Sequence, residues 1–183
     1  MQLLEAVDRS TAIGRRDYAV LLLVARYGLR PSDIRHLSLD DLHWRRGQIA
    51  LVQSKTGRPL VLPLLPDVAE ALIAYLQAGR PVTTARQVFV RHKAPFEPFA
   101  PHDNLVQIMR TALHRAGMGE RPGRRGLYLL RHTLATRLLR SGLSLKAVAD
   151  VLGQARTDSA LHYTKLDLDR LRAVPLSMEE VRR

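Results

Sequence analysis

The 183-residue chain contains no cysteine. Disulfide scaffolds, thiolate zinc sites and cysteine nucleophiles are therefore excluded. Neither a His-x-x-x-His nor a His-Glu-x-x-His metal-binding pattern occurs. Long apolar runs are also missing. The longest, Ala19 to Ala25 after Tyr18, falls far short of the ~20 residues a bilayer-spanning helix needs. The first ten residues, MQLLEAVDRS, carry acids early and have no apolar stretch of the kind a signal peptide requires. These absences make a soluble protein of a reducing, cytoplasmic compartment the expectation. Lysine is scarce as well: only Lys55, Lys93, Lys146 and Lys165 among 29 basic residues, the rest being arginine. Arginine suits bidentate contact with phosphate, although GC-rich coding raises its frequency without any function.

What is present is an ordinary globular mixture, 46% apolar and 25% charged, long enough for one domain with a core. The net charge of +12 and the pI near 11.1 point to a polyanionic partner, nucleic acid before an anionic membrane surface. Between Asn104 and Ala149 nine basic residues face one acid, Glu120, and this window holds +8 of the total. Arg124, Arg125, Arg137 and Lys146 are the residues of this window expected to contact nucleic acid, DNA or RNA. Taken singly, each is equally consistent with a solvated helix face.

Hydrophobic periodicity predicts a mostly helical α+β domain. RDYAVLLLVARY, from about Arg16 to Tyr27, is apolar nearly all round and predicts a buried helix that Gly28 breaks. Pro31-Ser32-Asp33 opens a second helix through Leu37. GQIALVQ and RPLVLPL are β-type runs on either side of Ser54-Lys55-Thr56-Gly57, which predicts a hairpin. Pro66 starts a helix with an apolar stripe at Val68, Ala71, Leu72, Tyr75 and Leu76. A short strand is expected at Val88 to Val90. Helices follow over Leu105–Leu113, Leu127–Leu138 and Leu145–Leu152, the last capped by Ser144. A polar segment, roughly Ser159 to Val174, and a tail beyond Pro175 complete the chain.

Two arginines stand in apolar surroundings, Arg30 in YGLRPSDIRHL and Arg131 in LYLLRHTLATRLL. A partly buried guanidinium needs an anionic partner, so each is either half of an internal salt bridge or a ligand for an oxyanion. Lys55 at a hairpin tip is by itself consistent with a solvent-exposed turn residue. Tyr163 lies in the polar stretch GQARTDSALHYTKLD, whereas Tyr18, Tyr27 and Tyr75 lie in apolar stripes and are expected in the core.

In combination these residues resemble the catalytic domain of the tyrosine recombinases, or phage-type integrases, over about Arg16 to Leu171. YGLRPSDI is similar to that family's first-arginine motif, with Asp33 at its acidic position. SKTGRPLVLPL resembles the catalytic-lysine hairpin, and LLRHTLATRLLRSGLSLKAVADVLG the second-arginine helix and the helix after it. Tyr163 falls at the nucleophile's place. Two positions depart from the pattern: Tyr128 stands three residues before Arg131 where the family usually has histidine, and Gln154 follows Leu-Gly where histidine or tryptophan is usual.

The resemblance implies a catalytic set of Arg30, Lys55, Tyr128, Arg131, Gln154 and Tyr163. It implies a site-specific recombinase that breaks and rejoins double-stranded DNA through a 3′-phosphotyrosyl link, which conserves the phosphodiester's energy so that no metal and no cofactor is required. It also implies work at the nucleoid and assembly into a homo-oligomer through the C-terminal tail. Without a histidine at either altered position, proton transfer is expected to be weakened. The corresponding division is a catalytic domain over 1–174 and a tail over 175–183, with no N-terminal core-binding domain. Two alternatives are a non-catalytic DNA-binding remnant of that fold and a helix-turn-helix regulator built on Leu127–Gly153. The joint presence of Arg30, Lys55, Arg131 and Tyr163 argues against both, since neither needs all four.

Overall fold

The computed structural model describes residues 2–103, 105–118 and 126–153. Its helices are α1 (Gln2–Glu5), α2 (Ala12–Tyr27), α3 (Pro31–His36), α4 (Pro66–Ala78), α5 (Val106–Arg115), α6 (Tyr128–Arg140) and α7 (Leu145–Val151). Strands β1 (Leu42–His43), β2 (Gln48–Val52) and β3 (Pro59–Pro63) lie between α3 and α4 and form one antiparallel sheet in that order. The expected helical α+β architecture with one small sheet is what the described residues adopt.

Helix α2 is the central element. It begins at Ala12, earlier than its apolar run suggests, because the Thr11 side chain accepts the Gly14 amide and caps the first turn. Val20 through Val24 are essentially removed from solvent. Full burial of such side chains stabilises a fold by about 1.5–3 kcal/mol each before entropy is counted. Helix α4 packs on one part of α2 and α6 on another. Along α6, Leu130, Leu134 and Leu138 are buried; Leu134 and Leu138 join Leu143, Val148, Val151 and Leu152 of the α7 region in a second, smaller core.

The sheet is docked by alternation. Ile49 and Leu51 of β2 and Leu60 and Leu62 of β3 are buried, and they pair across the ladder as Ile49–Leu62 and Leu51–Leu60. The end of α2 is tied to the end of β3 by Tyr27, whose hydroxyl donates to Pro63 O at 2.6 Å and accepts from Leu65 N at 3.2 Å. Burial pushes that phenol's pKa up. Thus the chain leaving α2 is held beside the hairpin.

The strand expected at Val88–Val90 does not form. These residues are fully buried, but their main chain is distributed among isolated contacts: Val88 N donates to Leu37 O at 2.8 Å, and Val90 bridges Pro98. Burial beneath a loop left the same apolar run that a ladder strand would.

His92 follows this segment. Its ring stacks on Tyr75, centroids 6.0 Å apart, with the Tyr75 hydroxyl 3.5 Å from Nε2. Burial, aided by the Arg16 charge, pushes its pKa from the usual 6.5 down to about 4. Between those values the unfolded chain binds the proton and the folded chain does not. Stability therefore rises with pH across that window and is lost on acidification from about 6.5 towards 4. Urea unfolding of wild type and of His92→Phe, which keeps the stacked ring, is expected to show this slope only in the wild type.

Candidate active site

Gly28 ends α2 in the left-handed conformation, φ 63°, a geometry that glycine adopts without strain. The turn aims the next residues back across the end of the helix. Arg30 then precedes α3 with extended backbone, Pro31 occupies the first helical position, and Asp33 reaches back so that its Oδ2 accepts Arg30 N at 3.3 Å.

The Asp33 side chain is completely buried and joins two predicted site elements. Its Oδ2 lies 3.9 Å from Arg30 Nη1, while Oδ1 accepts the amide of Ser54 at 2.9 Å. Ser54 opens the turn that carries Lys55. A second tether comes from His36, whose Nδ1 is 2.8 Å from Ser32 O and 3.0 Å from Ser54 Oγ. A carbonyl only accepts, so Nδ1 carries the proton. Lys55 itself is exposed at the turn.

Arg131 enters from α6. It stands on the buried face of the helix and is only 5% exposed. Its Nη1 donates to Gly28 O, and its Nη2 donates to Leu152 O at 2.8 Å. Arg30 Nη2 donates to the very next carbonyl, Gly153 O, at 3.1 Å. The two guanidinium groups, a hundred residues apart in sequence, are therefore held on consecutive carbonyls just past α7. Arg30 Nη1 is buried and has no hydrogen-bond partner among the described residues. Leaving such a donor unmet costs about 1–3 kcal/mol, a feature more often found where a ligand supplies the acceptor than in a purely structural ion pair.

The alternatives left open for the arginines resolve differently. Arg30 has a carboxylate neighbour in Asp33, yet its shorter contact is to a carbonyl. Arg131 is held by main-chain oxygens from two elements. A guanidinium offers five N–H donors, and at Arg30 the Nη1 group is left over for a further anion.

The remaining predicted residues are placed as follows. Tyr128 is the first residue of α6 and 54% exposed. Arg137 is half-buried, and burial together with the Arg26 charge pushes its pKa down, so it belongs to the neighbourhood of α2 as much as to an open face. Lys146 is exposed in the first turn of α7. Arg124, Arg125, Gln154, Tyr163 and the C-terminal tail lie outside the described residues.

One residue of the site escaped the sequence reading. Gln53 is 3% exposed, and with Asp33 and Arg131 it makes up the buried polar residues among those described. All three lie here. The signal was available: Ile49, Leu51 and Gln53 share strand parity, so an amide occupies an inward position.

Among the described residues there is no cluster of three or more metal-ligating side chains, and no helix is long and apolar enough to cross a membrane. The catalytic work open to this arrangement is charge stabilisation by fixed guanidinium groups, with an ammonium deliverable from the turn beside them.

Comparison with known proteins gives the family and the fold. A candidate integrase/recombinase of Sinorhizobium fredii, y4gC, is 40% identical over 176 residues, covering 96% of this chain and 90% of that protein. A second from the same organism, y4rA, is 43% identical over 175 residues but is matched over only 42% of its own length. The tyrosine recombinase XerD of Listeria innocua is 30% identical over 178 residues, covering 94% of this chain and 58% of XerD. Among solved structures, XerA recombinase superposes with a TM-score of 0.68 at 23% identity, over 93% of this chain and 60% of its own. XerH bound to its difH substrate superposes with a TM-score of 0.67 at 20% identity, over 94% of this chain and 51% of its own. These two likenesses show the shared catalytic-domain fold. The phage integrase family model matches residues 1–170, and the chain belongs to that family.

Proposed function

We propose that this chain is the catalytic unit of a site-specific recombinase that cuts and rejoins duplex DNA through Tyr163. The observation that carries the reading is the meeting of Arg30 and Arg131 on the carbonyls of Gly153 and Leu152, with the Lys55 turn bonded to the same Asp33 that borders Arg30.

In this reading the Tyr163 hydroxyl gives up its proton to solvent as its oxygen attacks the phosphorus of one strand. The bond from phosphorus to the 5′-oxygen breaks, leaving a 3′-phosphotyrosyl link and a 5′-hydroxyl. Negative charge gathers on the non-bridging oxygens in the transition state, and two guanidinium forks stabilise it there. Lys55 gives its proton to the departing 5′-oxygen. Religation reverses these steps with a different 5′-hydroxyl, and the phosphodiester's energy is conserved in the covalent link. Tyr128 replaces a base with a phenol, and Gln154 offers an amide without charge, so proton removal from Tyr163 is the weak step. The basic residues Arg124, Arg125, Arg137 and Lys146 would neutralise DNA phosphates, with a steep salt dependence. The tail would link copies on the DNA, which places the work at the nucleoid.

The test uses a pool of nicked duplexes randomised on both sides of the nick, so that after cleavage the short fragment carrying the new 5′-hydroxyl diffuses away and religation is prevented. Wild type is expected to form a covalent protein–DNA adduct that survives denaturing electrophoresis, and Tyr163→Phe to form none. An adduct persisting in Tyr163→Phe places the nucleophile elsewhere. Duplex binding by wild type without any adduct leaves the DNA-binding remnant as the reading.

A further inference from the structure

Gln53 belongs to the hairpin yet is buried against a different part of the molecule. A Cβ built on Gly153 would lie 1.9 Å from Gln53 Nε2 and 2.6 Å from its Cδ, so the amide rests directly on the Gly153 main chain. That closeness requires a residue without a side chain, and φ at Gly153 is +61°, which also favours glycine. At its other end the same amide faces the turn: Gln53 Oε1 accepts the Thr56 hydroxyl at 2.9 Å. The Gln53 carbonyl also accepts Gly57 N at 2.8 Å. Thr56 is the neighbour of Lys55, and Gly153 is the residue whose carbonyl receives Arg30.

We propose that Gln53 is a positioning residue that locks the Lys55 turn to the Gly153 segment, so that the proton donor is brought up only when the arginine-bearing centre is assembled. This deepens the proposed function and rests on its reading of Lys55 as the proton donor. A turn of Ser, Lys, Thr and Gly samples many conformations on its own; main-chain bonds to the Gln53 carbonyl close it locally, and the Ser54 tethers hold its N-terminal side to α3. Gln53 supplies the brace on the other side. Docking the turn on Gly153 makes the lysine's position depend on the segment that both arginines hold.

Two measurements test the coupling. The first compares cleavage of the nicked duplex recovered above, carrying either oxygen or sulfur at the 5′ bridging position of the scissile phosphate. A sulfur leaving group departs as thiolate and needs no proton. Lys55→Ala is expected to lose about 10²- to 10⁴-fold on the oxygen substrate and to recover on the sulfur one. Gln53→Met fills the same space without an acceptor for Thr56. It is expected to lose about tenfold on oxygen, the scale of one hydrogen bond, and to recover on sulfur in the same way. A Gln53→Met defect equal on both substrates, or no defect, overturns the proposal. Failure of sulfur to rescue Lys55→Ala removes the reading of Lys55 instead, and is told apart because that variant does not touch Gln53.

The second measurement needs no DNA. Hydrogen exchange of the free full-length chain is expected to show the Thr56, Gly57 and Gly153 amides exchanging faster together in Gln53→Met, while the amides of Val20–Val24 stay protected. Faster exchange in the turn without any change at Gly153 overturns the coupling whether or not cleavage is seen.

Discussion

Arg131→Ala is expected to damage stability and cleavage together, and stability by more than Arg30→Ala does. The difference follows from what each guanidinium holds. Arg131 is 5% exposed and bridges two elements, donating to Gly28 O at the end of α2 and to Leu152 O beyond α7. Its removal strands both carbonyls in the interior, at about 1–3 kcal/mol each. It also takes away a link between α6 and the chain on either side. We expect a loss of about 2–5 kcal/mol, a large part of the ~5–15 kcal/mol that holds a domain folded. Arg30 has a 17% exposed side chain, donates to one carbonyl and lies 3.9 Å from Asp33, whose carboxylate keeps two amide donors, so its removal is expected to cost about 1–3 kcal/mol. Lysine at 131 repairs neither deficit, because one ammonium cannot reproduce the planar fork that spans two acceptors. On DNA, loss of either arginine is expected to lower the cleavage rate by about two to three powers of ten. Urea unfolding of both alanine variants, with single-turnover adduct formation measured where each is fully folded, separates the two effects. Equal stability of the two variants would mean that the carbonyl bridge of Arg131 contributes nothing.

The site was legible in the sequence wherever a residue contradicted its own local pattern. Arg131 interrupts an apolar helix stripe and Arg30 sits between a buried helix and a proline, so both declared a need for partners that local structure could not satisfy. The hairpin was legible because alternation fixes which face is buried, and Gly57 marks its turn. What the partners are was not legible. The Gly28, Leu152 and Gly153 carbonyls belong to the main chain, which carries no residue-specific signal. The three-way junction at Asp33 exists only because α3 and the β2–β3 turn meet in space. Short elements failed for a related reason: α1 has four residues and β1 two, too few for a period to show, and they form through packing and pairing. The misread strand at Val88–Val90 shows the converse, that complete burial alone mimics a β pattern.

Asp33 is the structural link between Arg30 and the turn that carries Lys55. Its carboxylate has no solvent exposure and serves three groups: the Arg30 amide at 3.3 Å, the Ser54 amide at 2.9 Å and the Arg30 guanidinium at 3.9 Å. Asp33→Ala deprives two main-chain donors of their acceptor and leaves Arg30 without its neighbouring negative charge. Breaking a buried pair in this way destabilises by about 3–5 kcal/mol when both charges are fully enclosed. Arg30 retains some contact with water, so about 2–4 kcal/mol is expected here. Asp33→Asn is the more telling variant, because it preserves shape while replacing one acceptor oxygen by a donor. Whichever way the amide lies, an N–H then faces either Ser54 N or the Arg30 side, and only one of the two links survives. The stability loss is expected to shrink to about 1–3 kcal/mol, whereas cleavage still falls by about a hundredfold or more, since either the arginine or the lysine turn is released. Combining Asp33→Asn with Lys55→Ala distinguishes the two. If the amide releases the turn, the double variant cleaves no more slowly than Lys55→Ala alone; if it releases Arg30, the losses multiply. An Asp33→Asn protein that cleaves as fast as wild type would show that the carboxylate organises neither partner.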